Sequence, residues 1–313
     1  MRNSFVTRDV RLAGAALCGI IATVVVTATT AVAGPFKEVA PPPPVEEIDW
    51  NGIYMGFNVG VVFDNYDVRD YGGAVNLGEQ LNNAVMANGL GEDEMTDPYY
   101  AGFSFPGGSG TDTAPIGGLH IGYRKQFGHF VAGIEFGFEG TQTSKGPQSR
   151  VFQENFMTDY DESEVLAFSR WDSYRYAERN WDGWAGGQIG YAWQRFLFYA
   201  NGGYTFADVG VHSFDRVKSE FVDDGGEDFI VYASNAYATV SSDIMQGFYA
   251  GGGVQYALNQ KVTLGLEYRY SDFGNETFRF HQAHPIFPGA TNVSLTTNQV
   301  EFVVNIMLGH LGH

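Results

Sequence analysis

The chain has 313 residues, 44% hydrophobic, 15% aromatic and 17% charged, with 41 glycines and a single cysteine. That apolar content excludes a disordered chain. A mean hydropathy of −0.16, with no uninterrupted apolar stretch of about 18 residues after residue 33, also excludes a bundle of spanning helices. The net charge of −18 argues against nucleic acid or an anionic leaflet as partner, because both repel an acidic surface.

Arg2, Arg8 and Arg11 precede an apolar core from Leu12 to Val26, and Ala31-Val32-Ala33 then meets a small-residue cleavage rule. Residues 1–33 therefore read as a secretory signal peptide, cut between Ala33 and Gly34. A membrane anchor is the competing reading, but the apolar core is short and has no basic stop-transfer flank. Cleavage removes Cys18, which leaves no disulfide, thiolate metal site or cysteine nucleophile, and takes the net charge to about −20. Residues 34–49 contain Pro41-Pro42-Pro43-Pro44 and predict a stiff, proline-rich periplasmic leader.

Residues 50–313 have the period of strands. In the first run Ile53, Met55, Phe57, Val59, Val61 and Phe63 share one face, with Tyr54, Gly56, Asn58 and Gly60 on the other. Leu119, Ile121 and Tyr123 repeat the pattern, as do Phe130, Ala132, Ile134, Phe136 and Phe138 after a tight turn at Phe127-Gly128-His129. Ile189, Tyr191 and Trp193 begin the next pair, joined through Gln194-Arg195 to Phe198, Ala200, Tyr204 and Phe206. Phe248, Ala250, Val254 and Tyr256 turn through Asn259-Gln260-Lys261 into Val262, Leu264, Leu266, Tyr268 and Tyr270. Val300, Phe302, Val304, Ile306 and Leu308 close the series.

The connections alternate between a few residues and roughly 25 to 50, far outside the spread of a compact domain. Short turns on one side, long loops on the other and an even strand count are the marks of an antiparallel transmembrane β-barrel. The fold class is all-β, an eight-stranded barrel with long extracellular loops and short periplasmic turns. Closure follows from hydrogen bonding, since each backbone group left unpaired in hydrocarbon costs several kcal/mol. A soluble sandwich or lipocalin-like barrel with its greasy face inward is the alternative, and it has to place Gly, Glu, Arg, Gln and Asn on the outside of every strand. Trp50, Trp184, Trp193, Phe196, Tyr270 and Phe273 are expected in the interfacial aromatic girdles.

Three strings carry a family likeness: WNGIYMGFNVG at 50–60, GQIGYAWQRFLFYANGGYTFAD at 187–208 and GFYAGGGVQYALNQKVTLGLEYRYSDFG at 247–274. They resemble the small outer-membrane β-barrel proteins of alphaproteobacteria, relatives of the opacity-protein and OmpA-like eight-stranded barrels. The resemblance covers roughly half of the mature chain. It implies a place in the outer membrane among lipid and lipopolysaccharide, insertion by the barrel assembly machinery, and a structural or surface-interaction role toward a host or envelope partner through the loops. Some relatives bind haemin or act as minor pores. The chain departs from the family at its end, where Met307-Leu308-Gly309-His310-Leu311-Gly312-His313 replaces a terminal aromatic residue.

Arg124, Glu135, Glu139, Glu267, Arg269 and Glu301 fall on the inward face and predict a polar network filling a narrow lumen. A gated ion path lined by the same groups is the alternative. Acidic clusters sit in the connections: Glu92, Asp93, Glu94 and Asp97; Asp159, Asp161, Glu162 and Glu164; Asp223, Asp224, Glu227 and Asp228. Divalent cations bridging them to lipopolysaccharide phosphates are the alternative, but Asp159-Tyr160-Asp161-Glu162-Ser163-Glu164 lacks the sixth-position Gly and the later Glu of a calcium loop, and the clusters read as solvated surface, so no metal site is expected. His281 and His284, with Tyr99 and Tyr100, are weak candidates for haemin iron, and no resident cofactor is expected. The adjacent pair His212-Ser213 has no third partner in sequence, and Gly251, Gly252 and Gly253 lie within a strand pattern, so no enzyme is expected. Val75, Leu77, Leu81, Val85 and Met86 predict a short amphipathic helix over the barrel mouth.

Overall fold

The computed structural model describes residues 48–69, 71–89, 97–160, 163–223, 230–280 and 290–309. The elements in chain order are β1 Gly52–Arg69, β2 Tyr71–Asn76, α1 Leu77–Ala87, β3 Tyr100–Phe105, β4 Gly108–Phe127 and β5 Phe130–Lys145. They continue as β6 Gln148–Tyr160, β7 Ser163–Trp193, β8 Phe196–Asp223, β9 Ile230–Ala257, β10 Val262–Arg279 and β11 Ala290–Gly309. The antiparallel order β5-β4-β1-β11-β10-β9-β8-β7 is closed by pairing of β5 with β7, which makes a ring of eight strands. Strands β5 and β6 lie end to end along β7, interrupted at Gly146-Pro147, where proline has no N–H to give the ladder. A separate two-stranded sheet, β2 with β3, flanks α1 in sequence.

The outward face of the ring near its turn end is apolar. Phe57, Ile134, Tyr191, Leu266 and Phe302 are 45–55% exposed, whereas Glu267 on the opposite face is 4% exposed. Along β1 this outward set runs from Ile53 to Phe63, which at a strand's rise and a barrel's tilt spans about 25 Å, the height of a lipid-facing band. The inward-greasy alternative is thereby excluded.

The strands do not stop where the band stops. Strand β7 has 31 residues, and β8 and β9 have 28 each, a contour of roughly 90–100 Å. The connections expected as long loops are largely a continuation of the wall. Above the band the two faces exchange character. On β1 the outward residues become Asn65, Asp67 and Arg69 while Tyr66 and Val68 turn inward and are buried. On β8 the outward residues become Asp208, His212, Arg216 and Lys218, and the inward ones Ala207, Val209, Val211, Val217 and Phe221. The wall passes from lipid to water, and the apolar face moves from its outside to its inside.

Two strands change their inward parity through a bulge at this boundary, and β5 slips against β7 between Gly140 and Thr143 without changing its own. On β7 the register slips between Arg179 and Trp181, so inward positions pass from even (Asp182, Trp184) to odd (Arg179, Ala177, Arg175). On β10 it slips between Asp272 and Asn275 at Gly274, whose φ of 66° suits a bulge glycine, and Phe278 and Phe280 then face inward.

Three of the expected girdle aromatics are instead inside the ring: Trp50, Trp184 and Phe273 are all buried, at 1–2% exposure. Trp184 and Phe273 take the inward parity of their strands, and Trp50 folds beneath the turn end. Trp193 and Phe196 do face outward, and Tyr270 is half-buried.

Deleting Asn180 removes the extra residue at the β7 slip, so that Trp181 follows Arg179 directly and Arg179, Arg175 and Trp171 keep their inward parity on a regular ladder. The expected outcome is a barrel that keeps its heat-modifiable gel migration and whose segment 163–179 stays protease-resistant, read by limited proteolysis and mass spectrometry; new cleavage within 163–179 would show that the bulge itself is needed.

Candidate functional site

The interior is filled in layers. At the turn end Ile48, Trp50, Val131, Ala192, Leu197, Tyr199 and Ala257 form an apolar cluster. The Trp50 backbone N–H donates to Gln126 Oε1 at 2.9 Å, which ties the entering chain to β4.

The next layer is polar, and all six charged residues expected in the lumen lie in it. Arg124 donates to Gln255 Oε1 at 2.7 Å and stacks 4.1 Å from the centre of the Tyr54 ring. The Tyr54 hydroxyl donates to Glu135 at 2.7 Å. Arg269 is the hub of the rest: its guanidinium is 3.0 Å from Glu139, 3.1 Å from Glu267 and 3.6 Å from Glu301, and it lies 3.8 Å from the Trp184 ring centre. Asn58 bridges Glu139 and Glu301, Gln299 donates to Glu139 at 3.1 Å, and Tyr199 and Asn201 donate to Glu267. Across the wall Gly137 lets this packing happen, since a Cβ there would meet the Trp184 ring at 2.0 Å.

Above it lies a second ionic layer that sequence reasoning missed. Arg179 grips Asp64 through Nε and Nη2, at 2.8 and 3.1 Å, and donates to Asp182 at 2.7 Å. Higher still, Arg175 pairs with Asp215 at 3.4 Å, and Ser173 and Ser213 donate to the same carboxylate. These residues sat in segments expected as loops. The period-two alternation continues through them and was the available signal.

The outermost layer is apolar again: Tyr66, Val68, Phe105, Trp171, Val217, Phe221, Phe278 and Leu295 are among its buried members. Helix α1 belongs to it. Asn76 caps the helix by accepting from the Glu79 N–H at 3.2 Å, and Leu77, Leu81 and Val85 are buried while Met86 is exposed. Gln80 accepts from Ser219 on β8 at 3.0 Å, fastening the helix to the wall.

The outer surface of this head carries its own contacts. Asp172 joins Arg150 and Arg170 at 2.5 and 3.0 Å. Partial burial pushes the Asp172 carboxyl up, but the two guanidinium groups outweigh it and hold the pKa below its ordinary 3.8. Tyr176 stacks on His212 at 4.5 Å, and His212 contacts Glu178 at 2.8 Å. Ser213 points to the opposite face, so the pair His212-Ser213 shares no site.

Tyr99 and Tyr100 sit at the start of β3 and are exposed, with the Tyr99 carbonyl accepting from the Leu77 N–H at 2.7 Å. His281, His284, Ala33, Gly34 and most of the acidic clusters lie outside the described residues. Among the described residues no group of three His, Cys, Asp or Glu is arranged to hold a metal.

The family model for the outer membrane protein beta-barrel domain matches residues 22–304. The chain is similar to a 31 kDa outer-membrane immunogenic protein of Brucella melitensis biotype 1, 24% identical over 269 residues, 83% of this chain and 85% of that protein. It is similar to a 22 kDa outer membrane protein of Rhizobium leguminosarum bv. viciae, 24% identical over 174 residues, 55% and 59% of the two chains. Among solved structures, the outer membrane protein OprG from Pseudomonas aeruginosa aligns with a TM-score of 0.32 and 11% identity, over 82% of this chain and 97% of that one.

Replacing Arg269 by alanine leaves Glu139, Glu267 and Glu301 facing one another without their cation. The expected cost is about 3–5 kcal/mol in urea unfolding from lipid vesicles, with Arg269→Lys recovering only part, because an ammonium cannot fork between carboxylates. For Asp172 the lowered pKa means that its stabilisation of the β6–β7 hairpin is complete above about 3.8 and is lost as pH falls below that through the folded value. Proteolysis of the hairpin against pH should show this acid step in the wild type and lose it in Asp172→Asn.

Proposed function

Because the chain belongs to the outer membrane protein β-barrel domain family and sits in the outer membrane, we propose that it is a non-enzymatic scaffold. In this reading a plugged barrel holds a folded head above the bilayer for contact with a host or envelope surface. The observation that carries the reading is the continuous filling of the interior, from Trp50 at the turn end, through the Arg269 and Arg179 layers, to α1 at the mouth. An eight-stranded ring leaves an interior just wide enough for side chains, so every layer closes the same path.

The mechanism is mechanical. A ring without edges resists shear and unfolding, and the wall it anchors raises β6, α1 and the outer parts of β7, β8 and β9 clear of the lipid. Lipid and lipopolysaccharide surround the apolar band, and the barrel assembly machinery inserts the chain with Phe302 and Ile306 leading the outward face of β11. Residues 1–33 direct export, residues 34–49 form the periplasmic leader, and the net polar lumen network consists of Arg124, Glu135, Glu139, Glu267, Arg269 and Glu301 with the additional residues above them.

Purified protein in planar bilayers is expected to show no steady large conductance; reproducible open-channel steps would overturn the plug. Orientation is checked on intact cells with an impermeant amine reagent and mass spectrometry. Lys145 and Lys218, exposed in the head, should label, and Lys125 and Lys261, exposed at the turn end, should not.

A further inference from the structure

Above the membrane the wall opens along two seams, between β9 and β10 and between β4 and the side of β5 and β6. Strand β9 pairs with β10 only from Phe248 to Ala257, while its other side stays on β8 up to Ile230. Residues 230–247 of β9 therefore have a strand neighbour on one side alone among the described residues. At the far side of the same sheet β6 pairs, among the described residues, only with β7. A four-stranded extracellular sheet, β6-β7-β8-β9, thus has two edges.

Soluble proteins blunt an open edge with lysine, proline, a bulge or short length. The β9 edge has none of these. Residues 230–242 read IVYASNAYATVSS, with no charge, no proline and no glycine in a chain whose net charge is −18. Its outward residues Ile230, Tyr232 and Val240 are 57–68% exposed, and its inward residues 233–241 at odd positions are only half-buried, unlike the fully buried inward row of β8. Such a strand has the composition of one that is paired.

We propose that this β9 edge pairs with the β6 edge of a second copy of the chain. Direction supports this occupant. The sheet alternates, with β6 running away from the membrane and β9 running toward it. Copies in one bilayer share an orientation, so the β6 of a neighbour meets β9 antiparallel and continues the alternation. Register supports it as well: Arg150, Asp172, Arg216 and Ala236 form one row across the four strands, and Phe156, Leu166, Val222 and Ile230 form another, so residues 148–156 and 230–238 are matching stretches of the two edges, offset in height only by the strand tilt. Size is complementary, since β6 presents Arg150, Phe152 and Phe156 outward and β9 presents Ser234, Ala236 and Ala238 between its larger residues. The contact is head-to-tail, so it builds rings or rows and not closed two-fold dimers.

The common orientation of copies rests on the surface-display reading, which the lysine labelling above tests separately. The pairing itself is tested by cysteine cross-linking in outer membranes, with Cys18 replaced by serine. One cysteine is placed on β9 (Ser234→Cys, Ala236→Cys or Ala238→Cys) and one on β6 (Gln148→Cys or Glu154→Cys) of the same chain, and folding is followed by heat-modifiable migration. Mild oxidation is expected to give dimers and a ladder of higher species for at least one double variant, and monomer for each single variant. Adding Ala233→Lys to the cross-linking variant, which points a charge inward at the seam, should remove the ladder while the barrel stays folded. Monomer in all double variants whose thiols still react with maleimide would overturn the proposal, and so would dimers from a β9 cysteine alone, which would mean a two-fold contact without β6.

Discussion

A backbone N–H or C=O facing hydrocarbon has no water to bind, and this one deficit organises the molecule. It forces β5 onto β7 so that the ring has no edge within the lipid. Above the lipid the deficit disappears, and so does the closure: β4 leaves β5 beyond the Ile116 and Thr141 pair, and β9 leaves β10 beyond Phe248 and Asp272. Where water is available to the backbone, open seams become tolerable, and α1 and the β2–β3 pair pack into the apolar cluster at the mouth.

The same boundary sets side-chain polarity. A wall that must be greasy outside in lipid and polar outside in water can keep its hydrogen-bond ladder and change only which face is apolar. Strands β1, β8 and β11 do this with no break in phase, from Phe63 to Asn65, from Phe206 to Asp208 and from Val300 to Asn298. On β7 and β10 one extra residue is inserted at the boundary. The physical distinction between barrel and head is thus a change of solvent along a single sheet.

That distinction explains what could be read from the residues alone. The eight membrane runs were legible because alternation with apolar Phe57, Ile134, Leu266 and Phe302 on one face meets the template for a lipid-facing strand. Their continuations keep period two with the apolar face reversed and with small residues such as Ala207, Ala233 and Ala238 diluting the contrast, so they pass for loops. The charged members of the lower lumen layer were legible by parity. Arg175 and Arg179 were not, because the bulge at Asn180 shifts the phase that parity depends on, and Asp182, though in phase with Gln188, lies in a stretch read as a loop. Trp50, Trp184 and Phe273 were assigned by residue type to the lipid interface, and the interior claimed them because the Arg269 guanidinium, the turn-end cluster and the head core each needed a large ring.

An interior of ion pairs is not the most stable filling for such a ring, since a well-packed apolar core of equal volume is often as stable or better. The choice follows from the route the chain takes. If Arg269, Glu139, Glu267 and Glu301 were leucines, the membrane runs of β5, β10 and β11 would lose the charges that mark their inward faces. The chain would then present long greasy segments to water before it reached the bilayer and invite the strand association that open edges promote. Alternation keeps mean hydropathy at −0.16 while the chain is unfolded, and the buried charges find their partners only when β10, β11, β1, β5 and β7 come together around the lumen. A one-residue slip of any of these strands would send a charge into lipid, so the ionic layers also enforce the register on which the seam, the head and its exposed β9 edge depend.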